Sequence, residues 1–595
     1  MRLRLTSAWA ARLRRAAVAS LLAASAGLSA AAIPFAEWSE RFATDWVRLA
    51  PEFATATQYL GGEEQAQLDG QLSPLTTSHS DRRSALAREG LAQLDTYTTA
   101  GLQGSDRISA AIIRSTLQRS LAARPFEDHN FVFSQLWGPQ VRYVSLLAES
   151  QPLRKAADLQ PFLSRLAQVS QRLDEGISRA RDAASRGLLP PRVVVERART
   201  QVQAFLAQGV ADNDIVQGLA QRSARIPGLA AEERQAAIAK TTSLVQDQVR
   251  PAFERVLTLL NDLHPRASTD VGLWRLPQGE QAYARALAEY TTTTLGAEEI
   301  HTLGLREVAR IEAQMDRVLQ GLGRKEGSVR QRVDNLRAEL QPAAEPDPRP
   351  AILAAYTAAI ADAQARAHAL FNTQPRALVE VRRVPALTER TASAFYTAPA
   401  PDGSRSGVFW APLPGPAYDV LRIRSLAVHE AVPGHHFQLA LQLEQTELPR
   451  WRQRRIFGGG SAHSEGWALY AERLALDHGW YEGDAPALLG ALDGQLFRAR
   501  RLVVDTGLHS KRWSRERAIA YGLPAHEVER YIANPGQATA YMVGMLHMLA
   551  LRDEAQRSLG ARFSLKDFHD VVLKTGSVPL DVLSDVVRRW VQESS

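Results

Sequence analysis

Apolar residues at helical spacing run through most of this 595-residue chain, and they constrain its fold more than any other feature. Residues 282–322 and 516–555 are two long examples, in which apolar side chains recur three or four positions apart. Ala, Leu, Arg, Gln and Glu dominate these stretches, and all five are good helix formers. The pattern therefore predicts a mainly α-helical protein.

One modest sheet is predicted between residues 378 and 413. The segments ALVEVRRVP, TASAFYTAP and SGVFWAPL are rich in β-branched or aromatic residues and are bounded by Pro and Gly. A Pro-rich linker precedes them at 340–351. We therefore expect a mainly α (α+β) fold in which residues 33–595 form a single domain with a central cleft and a possible sub-boundary near 340–351.

The first 32 residues have the layout of a secretory signal peptide. Five arginines accompany a run of small and apolar residues, and the small side chains up to Ala32 suit cleavage near that position. The formal net charge of +7 falls to +2 when those five arginines are removed, so nucleic acid is not an implied partner. The absence of cysteine excludes disulfides and a lipid-modified cysteine. We expect a periplasmic or secreted protein with no stable membrane anchor after cleavage.

Without cysteine, a metal must be held by His, Asp or Glu, and the segment AVHEAVPGHHFQLA concentrates such residues. Zinc peptidases carry H-E-x-x-H on one helix, where both histidines share a face. In an unbroken helix, with about 100° and about 1.5 Å per residue, His435 would lie about 120° off the face of His429, and His436 would lie about two turns further along the axis. The spacing is therefore wrong for a metal site unless the helix is interrupted.

Pro433 and Gly434 supply that interruption. Proline lacks the N–H that an α-helix needs and clashes with the preceding turn, while glycine gives the backbone freedom to bulge. Two extra residues looped out after Glu430, in a π-like bulge, would return His435 to the metal. The alternative is a helix that simply breaks at Pro-Gly, with histidines scattered over a surface.

The segment GGGSAHSEGWALYAERLAL offers a third ligand. Glu465 opens an apolar-periodic helix 35 residues after Glu430, and Glu472 is a rival that lies near the same face or a hydrogen-bond acceptor from a metal-bound histidine. Further on, Tyr541 and His547 lie on a predicted helix, and either side chain could donate to an oxyanion. A tyrosine on an Ala-rich helix is more often part of the core.

Six blocks of the sequence together resemble the bacterial domain of unknown function 885 family. These blocks, in the order of the family, are GLWRLPQGEQAYARALAEYTTTTLGAEEIHTLGLREVARIEAQM, FYTAPAPDGSRSGVFWAPL, HEAVPGHHFQ, SEGWALYAERL, PGQATAYMVGMLHMLALRDEA and FHDVVLKTGSVPLDVL. The resemblance covers nearly all of the chain after the signal segment. It implies a large helical fold like that of the zincin metallopeptidases, with a small antiparallel or mixed sheet next to the metal-binding helix.

The resemblance also implies roles for particular residues. Related gluzincins end their motif in Gly-His at variable spacing after His-Glu, and here Gly-His falls on residues 434 and 435. His429, His435 and Glu465 are thereby implied as ligands of Zn²⁺. His436 is left to support these ligands or to contact the substrate, and it is the rival of His435 as the second ligand. Glu430 is implied as the general base and Tyr541 as the residue that steadies the tetrahedral intermediate.

We therefore predict a secreted zinc-dependent metallohydrolase, a gluzincin-like peptidase that cleaves short peptides through an activated water. SGVFWAPL is predicted to be the edge strand that pairs with an extended substrate. The alternatives are a catalytically degenerate periplasmic binding protein and a metal-dependent hydrolase of a non-peptide amide or ester. The sequence does not predict the oligomeric state.

Overall fold

A computed structural model describes residues 33–595, except residues 100, 345, 386–388, 390–392, 401, 402 and 404. The predicted signal segment, residues 1–32, lies outside the described residues.

Helices form most of the described chain, as the apolar periodicity predicts. The first fifteen α-helices precede the sheet and are α1 (Phe35–Arg48), α2 (Pro51–Thr57), α3 (Gly62–Asp69), α4 (Thr77–Thr99), α5 (Gly104–Ala123), α6 (Pro139–Ser145), α7 (Leu159–Ser185), α8 (Arg192–Ala207), α9 (Asp214–Ser223), α10 (Ala231–Leu244), α11 (Arg250–Leu263), α12 (Gly279–Thr291), α13 (Ala297–Gly321), α14 (Val329–Glu339) and α15 (Arg349–Ala367). The ten that follow the sheet are α16 (Ile423–Glu430), α17 (His435–Glu444), α18 (Arg450–Gln453), α19 (Ser461–Asp477), α20 (Ala485–His509), α21 (Arg515–Ala520), α22 (Ala525–Ala533), α23 (Ala540–Leu559), α24 (Leu565–Thr575) and α25 (Leu580–Glu593).

Shorter helical turns connect several of these helices. The 3-10 turns are Arg124–Asn130, Ala156–Asp158, His264–Arg266, Leu273–Arg275, Val420–Arg422, Gln537–Thr539 and Gly560–Arg562, and the π turns are Leu146–Ser150 and Val245–Val249.

The sheet lies where the sequence predicts it and is mixed. Its strands are β1 (Val379–Arg383), β2 (Phe395–Thr397) and β3 (Gly407–Ala411), in the spatial order β1-β3-β2. β3 pairs in parallel with β1, so that Val381 faces Phe409, and antiparallel with β2, so that Tyr396 faces Phe409. The prediction that SGVFWAPL forms an edge strand is therefore wrong, because β3 has a neighbour on each side and four of its five residues are buried. β2 is the edge on the side of the candidate site.

Two clusters of buried apolar side chains form the interior. One is drawn mainly from residues 133–267 and includes side chains of α7, α8 and α11. The other contains the buried faces of α16, α19, α20 and α23 together with β3. None of the helices in the described ranges combines the length and the apolar character that crossing a membrane requires.

Helices α19 and α23 cross at two glycines. A Cβ on Gly544 would lie 2.0 Å from the carbonyl oxygen of Ala462, and a Cβ on Gly466 would lie 2.6 Å from the Cα of Gly544. Only glycine allows backbones to approach this closely. The crossing places the start of α19, with Glu465, beside the start of α23, with Tyr541.

Candidate metal centre

The His-Glu segment is a break between two helices rather than a bulge within one. α16 ends at Glu430, α17 begins at His435, and residues 431–434 join them. Ala431 leaves helical geometry with φ −113° and ψ −94°. The N–H of Val432 still donates to the carbonyl of Ala427 at 3.2 Å, so the last turn of α16 widens before the chain turns away. The predicted single bulged helix is therefore wrong, because proline cannot extend the hydrogen-bond ladder.

Gly434 lets the chain turn back onto the helix that it has just left. A Cβ at this position would lie 1.9 Å from the carbonyl oxygen of His429 and 2.3 Å from that of Val428. No side chain fits at such distances. The carbonyl of Pro433 accepts a hydrogen bond from the indole N–H of Trp467 at 2.8 Å, which ties the loop to α19. The break thus returns His435 to His429 instead of scattering the histidines.

His429, His435 and Glu465 meet at one point. The Nε2 atoms of the two histidines lie 3.6 and 3.5 Å from Oε2 of Glu465, and the three ligand atoms all lie within 4.8 Å of one another. Tetrahedral bonds of about 2.0–2.1 Å to zinc place ligand atoms roughly 3.3 Å apart. The two distances to Glu465 are therefore close to those of a three-residue metal site with one open position.

Glu472 holds the ring of His429 from the other side. Its Oε1 lies 2.8 Å from Nδ1 of His429, and a carboxylate can only accept, so Nδ1 donates to Glu472 and Nε2 is the ring nitrogen that faces Glu465. Glu472 is fully buried and Nη2 of Arg498 lies 3.5 Å from the same oxygen. Burial alone would raise the pKa of Glu472, but Arg498 and His429 outweigh it and lower the pKa.

The charges around this cluster are coupled. Burial alone would lower the pKa of His429, but the carboxylates of Glu465 and Glu472 outweigh it and raise the pKa to about 9. Burial would likewise raise the pKa of Glu465, and the His429 and His435 rings reverse this and hold it well below its usual range. The arrangement thus keeps a carboxylate anion among cationic or metal-binding groups.

His436 points away from the cluster. Its Nε2 donates to the carbonyl of Ala377 at 3.0 Å, and its Nδ1 accepts from the hydroxyl of Tyr396 on β2 at 2.8 Å. Both ring nitrogens are therefore occupied, and burial lowers the pKa of His436 to about 4. Of the two adjacent histidines, only His435 can take part in the cluster.

Glu430 ends α16 with a carboxylate oxygen that has no protein partner. The residue is buried, and its Oε2 makes no hydrogen bond within the described part of the chain. A buried oxygen without a hydrogen bond lowers folding stability by on the order of 1–3 kcal/mol. Its presence therefore points to a role other than stabilising the fold. Glu430 lines the same cavity as the three ligand candidates.

A cavity of about 700 Å³ gives access to the cluster, and we call it the metal-site cavity. Its wall includes Phe395 and Tyr396 of the edge strand β2, together with Tyr541. The guanidinium of Arg501 stacks over the ring of Tyr541 at 4.4 Å, and Nη2 of Arg530 lies 3.5 Å from its hydroxyl. Tyr541 is thus held at the wall beside two cations.

The rival candidate His547 does not face this cavity. Its Nε2 lies 2.8 Å from the hydroxyl of Ser584 and 3.2 Å from the carbonyl of Leu580, so it joins α23 to α25.

Several residues around the site carry no signal in the sequence. Arg498 and Arg501 lie on α20 among other arginines, with no spacing that marks them, and only the fold brings them to the cavity wall. Tyr396 could have been suspected from its strand pattern, but its contact with His436 depends on how β2 meets α17.

The fold and the site together define a helical protein with a His-His-Glu cluster and an unpartnered glutamate in an open cavity. The chain belongs to the family of bacterial proteins of unknown function called DUF885, whose model matches residues 51–587. This part of the predicted resemblance is confirmed.

The solved structures that are similar to the chain include two candidate lipoproteins. A candidate lipoprotein from Colwellia psychrerythraea is 30% identical, with a TM-score of 0.84, and the match covers 93% of this chain and 99% of that one. A candidate lipoprotein of unknown function from Shewanella oneidensis shares the fold with a TM-score of 0.70 at 20% identity, over 93% of this chain and 100% of that one. No curated protein matches the sequence.

Proposed function

We propose that this protein is a zinc-dependent hydrolase that cleaves amide bonds of short peptides, with the chemistry of zincin metallopeptidases. One observation carries the proposal: a buried glutamate oxygen without a partner shares a cavity with three converging metal-ligand side chains. A general base needs a free oxygen that faces the reacting water.

His429, His435 and Glu465 would hold the metal, and their donor set of two imidazoles and one carboxylate is one that catalytic zinc sites use. A bound zinc ion supplies Lewis-acid polarisation of the scissile carbonyl and acidifies water at the open position. Glu430 takes the proton of the attacking water and returns it to the leaving amine. Glu472 keeps the ring of His429 in the tautomer that this role requires.

We assign Tyr541 the role of hydrogen-bond donor to the oxyanion of the tetrahedral intermediate. Its phenol stands at the cavity wall between the guanidinium groups of Arg501 and Arg530, and both cations favour an electron-rich partner near its hydroxyl. A donor that is held in advance stabilises charge that develops only in the transition state.

We assign the edge strand β2 the role of binding the substrate backbone. Its residues Phe395 and Tyr396 line the metal-site cavity, and among the described residues the strand has a neighbour only on the side of β3. An extended peptide can add to such an edge through main-chain hydrogen bonds. This assignment replaces β3, which lies in the centre of the sheet.

We also propose that the protein works in the cell envelope. The predicted signal segment supports export, and the similar structure from Colwellia psychrerythraea is of a candidate lipoprotein, a class of envelope protein.

Replacing Glu430 with Gln tests the mechanism, because the amide keeps the shape but cannot accept the proton. We expect unchanged zinc content, unchanged melting temperature and peptide hydrolysis reduced at least ~10²-fold. Glu465→Gln is the contrasting variant, which should lose metal because a charged ligand is lost. Zinc analysis and a peptide-library digest, each with and without a chelator, measure these outcomes. Hydrolysis by Glu430→Gln at the parental rate would refute the mechanism, and absence of bound metal in the parent would favour a binding protein.

A further inference from the structure

A second cavity adjoins the metal-site cavity along helix α17. It has a volume of about 790 Å³, and Leu439 and Arg455 line both cavities. His435, Leu439 and Leu443 follow one another at four-residue intervals and therefore share one face of α17. His435 lines the metal-site cavity, Leu439 lines both cavities, and Leu443 lines the second cavity. The two cavities thus succeed each other along one helix face.

The second cavity is lined by cations. Its described lining includes four arginines, Arg154, Arg405, Arg454 and Arg455, and no aspartate or glutamate among the described residues. We call it the arginine-lined cavity. Arg405 has main-chain partners, since it donates to the carbonyls of Ala398 and Ser406, but carbonyls do not neutralise its charge. The space therefore favours an anionic occupant.

Arg455 adopts a backbone conformation that usually requires glycine. Its φ is 53°, and it follows the short helix α18 in a Schellman motif. The N–H of Arg455 donates to the carbonyl of Arg452 at 3.1 Å, and the N–H of Ile456 donates to that of Trp451 at 2.9 Å. Glycine is the preferred residue at this position, because a side chain destabilises the left-handed conformation. An arginine here therefore needs a reason beyond ending the helix.

The guanidinium of Arg455 has no partner of its own. Within the described ranges it makes no hydrogen bond or ion pair, although the residue is partly buried, and burial lowers its pKa. Most other arginines at the wall of the metal-site cavity differ in this respect. Arg501 and Arg530 both pair with Glu527, and Arg498 lies beside Glu472. Arg455 is a partly buried cation that borders both cavities and lacks a counter-charge.

We propose that Arg455 and the arginine-lined cavity bind a carboxylate of the peptide substrate, so that this hydrolase selects acidic peptides. This inference rests on the proposed function and names the substrate class of the same site. Arg455 borders the second cavity together with Leu439, about one helical turn, or roughly 6 Å, beyond His435. An extended chain rises about 3.3 Å per residue, so the carboxylate lies about two residues from the scissile bond.

Two sources can supply this carboxylate. A C-terminal carboxylate at this distance makes the enzyme remove dipeptides from the end of a chain, whereas an Asp or Glu side chain permits internal cleavage. The shared chemistry is a carboxylate held by a guanidinium, which is a charge-assisted pair. Matched peptides distinguish the two sources.

The test compares the full chain with its Arg455→Gly variant on four peptides of one sequence. Each peptide carries a free or amidated C-terminus and either Glu or Gln two residues from the cleavage site. For the parent we expect kcat/KM at least about tenfold higher for the peptide with the recognised carboxylate than for its neutral match. Arg455→Gly should abolish this preference and keep or raise the melting temperature, because glycine suits the backbone.

Arg512→Gly is the matched control. Arg512 also has a positive φ, 57°, but it is exposed and lines neither cavity. This variant should leave the preference for the carboxylate unchanged. If Arg455→Gly kept the parental preference, or if the parent cleaved all four peptides equally, the inference would be overturned.

Equilibrium binding of the same peptides separates this inference from the proposed function. Carboxylate-dependent binding that Arg455→Gly abolishes, without any hydrolysis, would support the arginine site and reject the hydrolase. Hydrolysis without carboxylate dependence would support the hydrolase and reject the arginine site. Absence of both hydrolysis and carboxylate-dependent binding would reject both proposals.

Discussion

Glu472 provides the sharpest test of how the cluster is built, because it touches His429 without being able to touch a metal bound on the other side of the ring. Its Oε1 accepts from Nδ1 of His429 at 2.8 Å, and the residue is fully buried. In Glu472→Gln the amide oxygen still accepts this hydrogen bond, but the negative charge is lost. The ring of His429 then becomes less basic at Nε2, and Arg498 loses its carboxylate neighbour.

The expected loss of zinc affinity in Glu472→Gln follows from the contact that glutamine keeps. Removing a partner that orients a metal-bound histidine typically weakens metal binding 10- to 100-fold. Because glutamine keeps an acceptor at the same place, we expect the lower end, about tenfold, which corresponds to ~1.4 kcal/mol of binding free energy. The melting temperature should fall as well, since Arg498 stays buried without its counter-charge.

Competition with a chromophoric chelator measures the zinc affinity of both proteins. Glu529→Gln serves as the matched control, because Glu529 is also buried and pairs with Arg197 and Arg515, but does not line the metal-site cavity. It should lose stability and keep parental zinc affinity. If Glu472→Gln bound zinc as tightly as the parent, the orienting role assigned to Glu472 would be wrong.

Two further predictions concern the adjacent histidines and a buried acid. His435→Ala should empty the metal site while His436→Ala keeps the metal and loses stability, and metal analysis of the two variants would contradict the assignment if the result were reversed. Asp505 is fully buried and accepts from the hydroxyl of Tyr283 at 2.6 Å, and burial raises its pKa to about 7 from 3.8. Because the folded state holds the proton more tightly, the contribution of Asp505 to stability is full below pH 4 and declines by on the order of 4 kcal/mol as the pH rises to 7. Asp505→Asn carries no titrating proton, so the difference in unfolding free energy between variant and parent should grow across that range, and a constant difference would contradict the raised pKa.

Much of the architecture could be predicted from the sequence because it depends on local periodicity. Apolar spacing indicates the long helices, and the β-branched and aromatic runs indicate the three strands near 378–413. The order of the strands was not predictable in the same way. β3 lies between β1 and β2 in the sheet, and it pairs in parallel with β1 although β2 comes between them in the sequence. Tertiary packing decides such pairing. The continuous apolar run of β3 was nevertheless a signal of burial on both faces.

The candidate site shows the same division. The choice of His429, His435 and Glu465 rested on residue types, on Pro433-Gly434 and on the family resemblance, and the structure brings these three side chains together. The path of the loop could not be predicted, because it depends on how closely Gly434 approaches the carbonyl of His429. The left-handed conformation of Arg455 was equally hidden, since only glycine announces such a backbone in a sequence.

The spacing of the two glutamates on α19 has a meaning that neither residue carries alone. Glu465 and Glu472 are seven residues apart, so both project from one face of the helix, and the sequence makes them rivals for the third ligand position. The structure places His429 between them: Glu465 faces Nε2 at 3.6 Å and Glu472 faces Nδ1 at 2.8 Å. A single imidazole can present a lone pair on only one nitrogen, so the hydrogen bond on Nδ1 decides that Nε2 is free for a metal. In the proposed metal site the two carboxylates are therefore complementary, one as a ligand and the other as the group that orients the histidine.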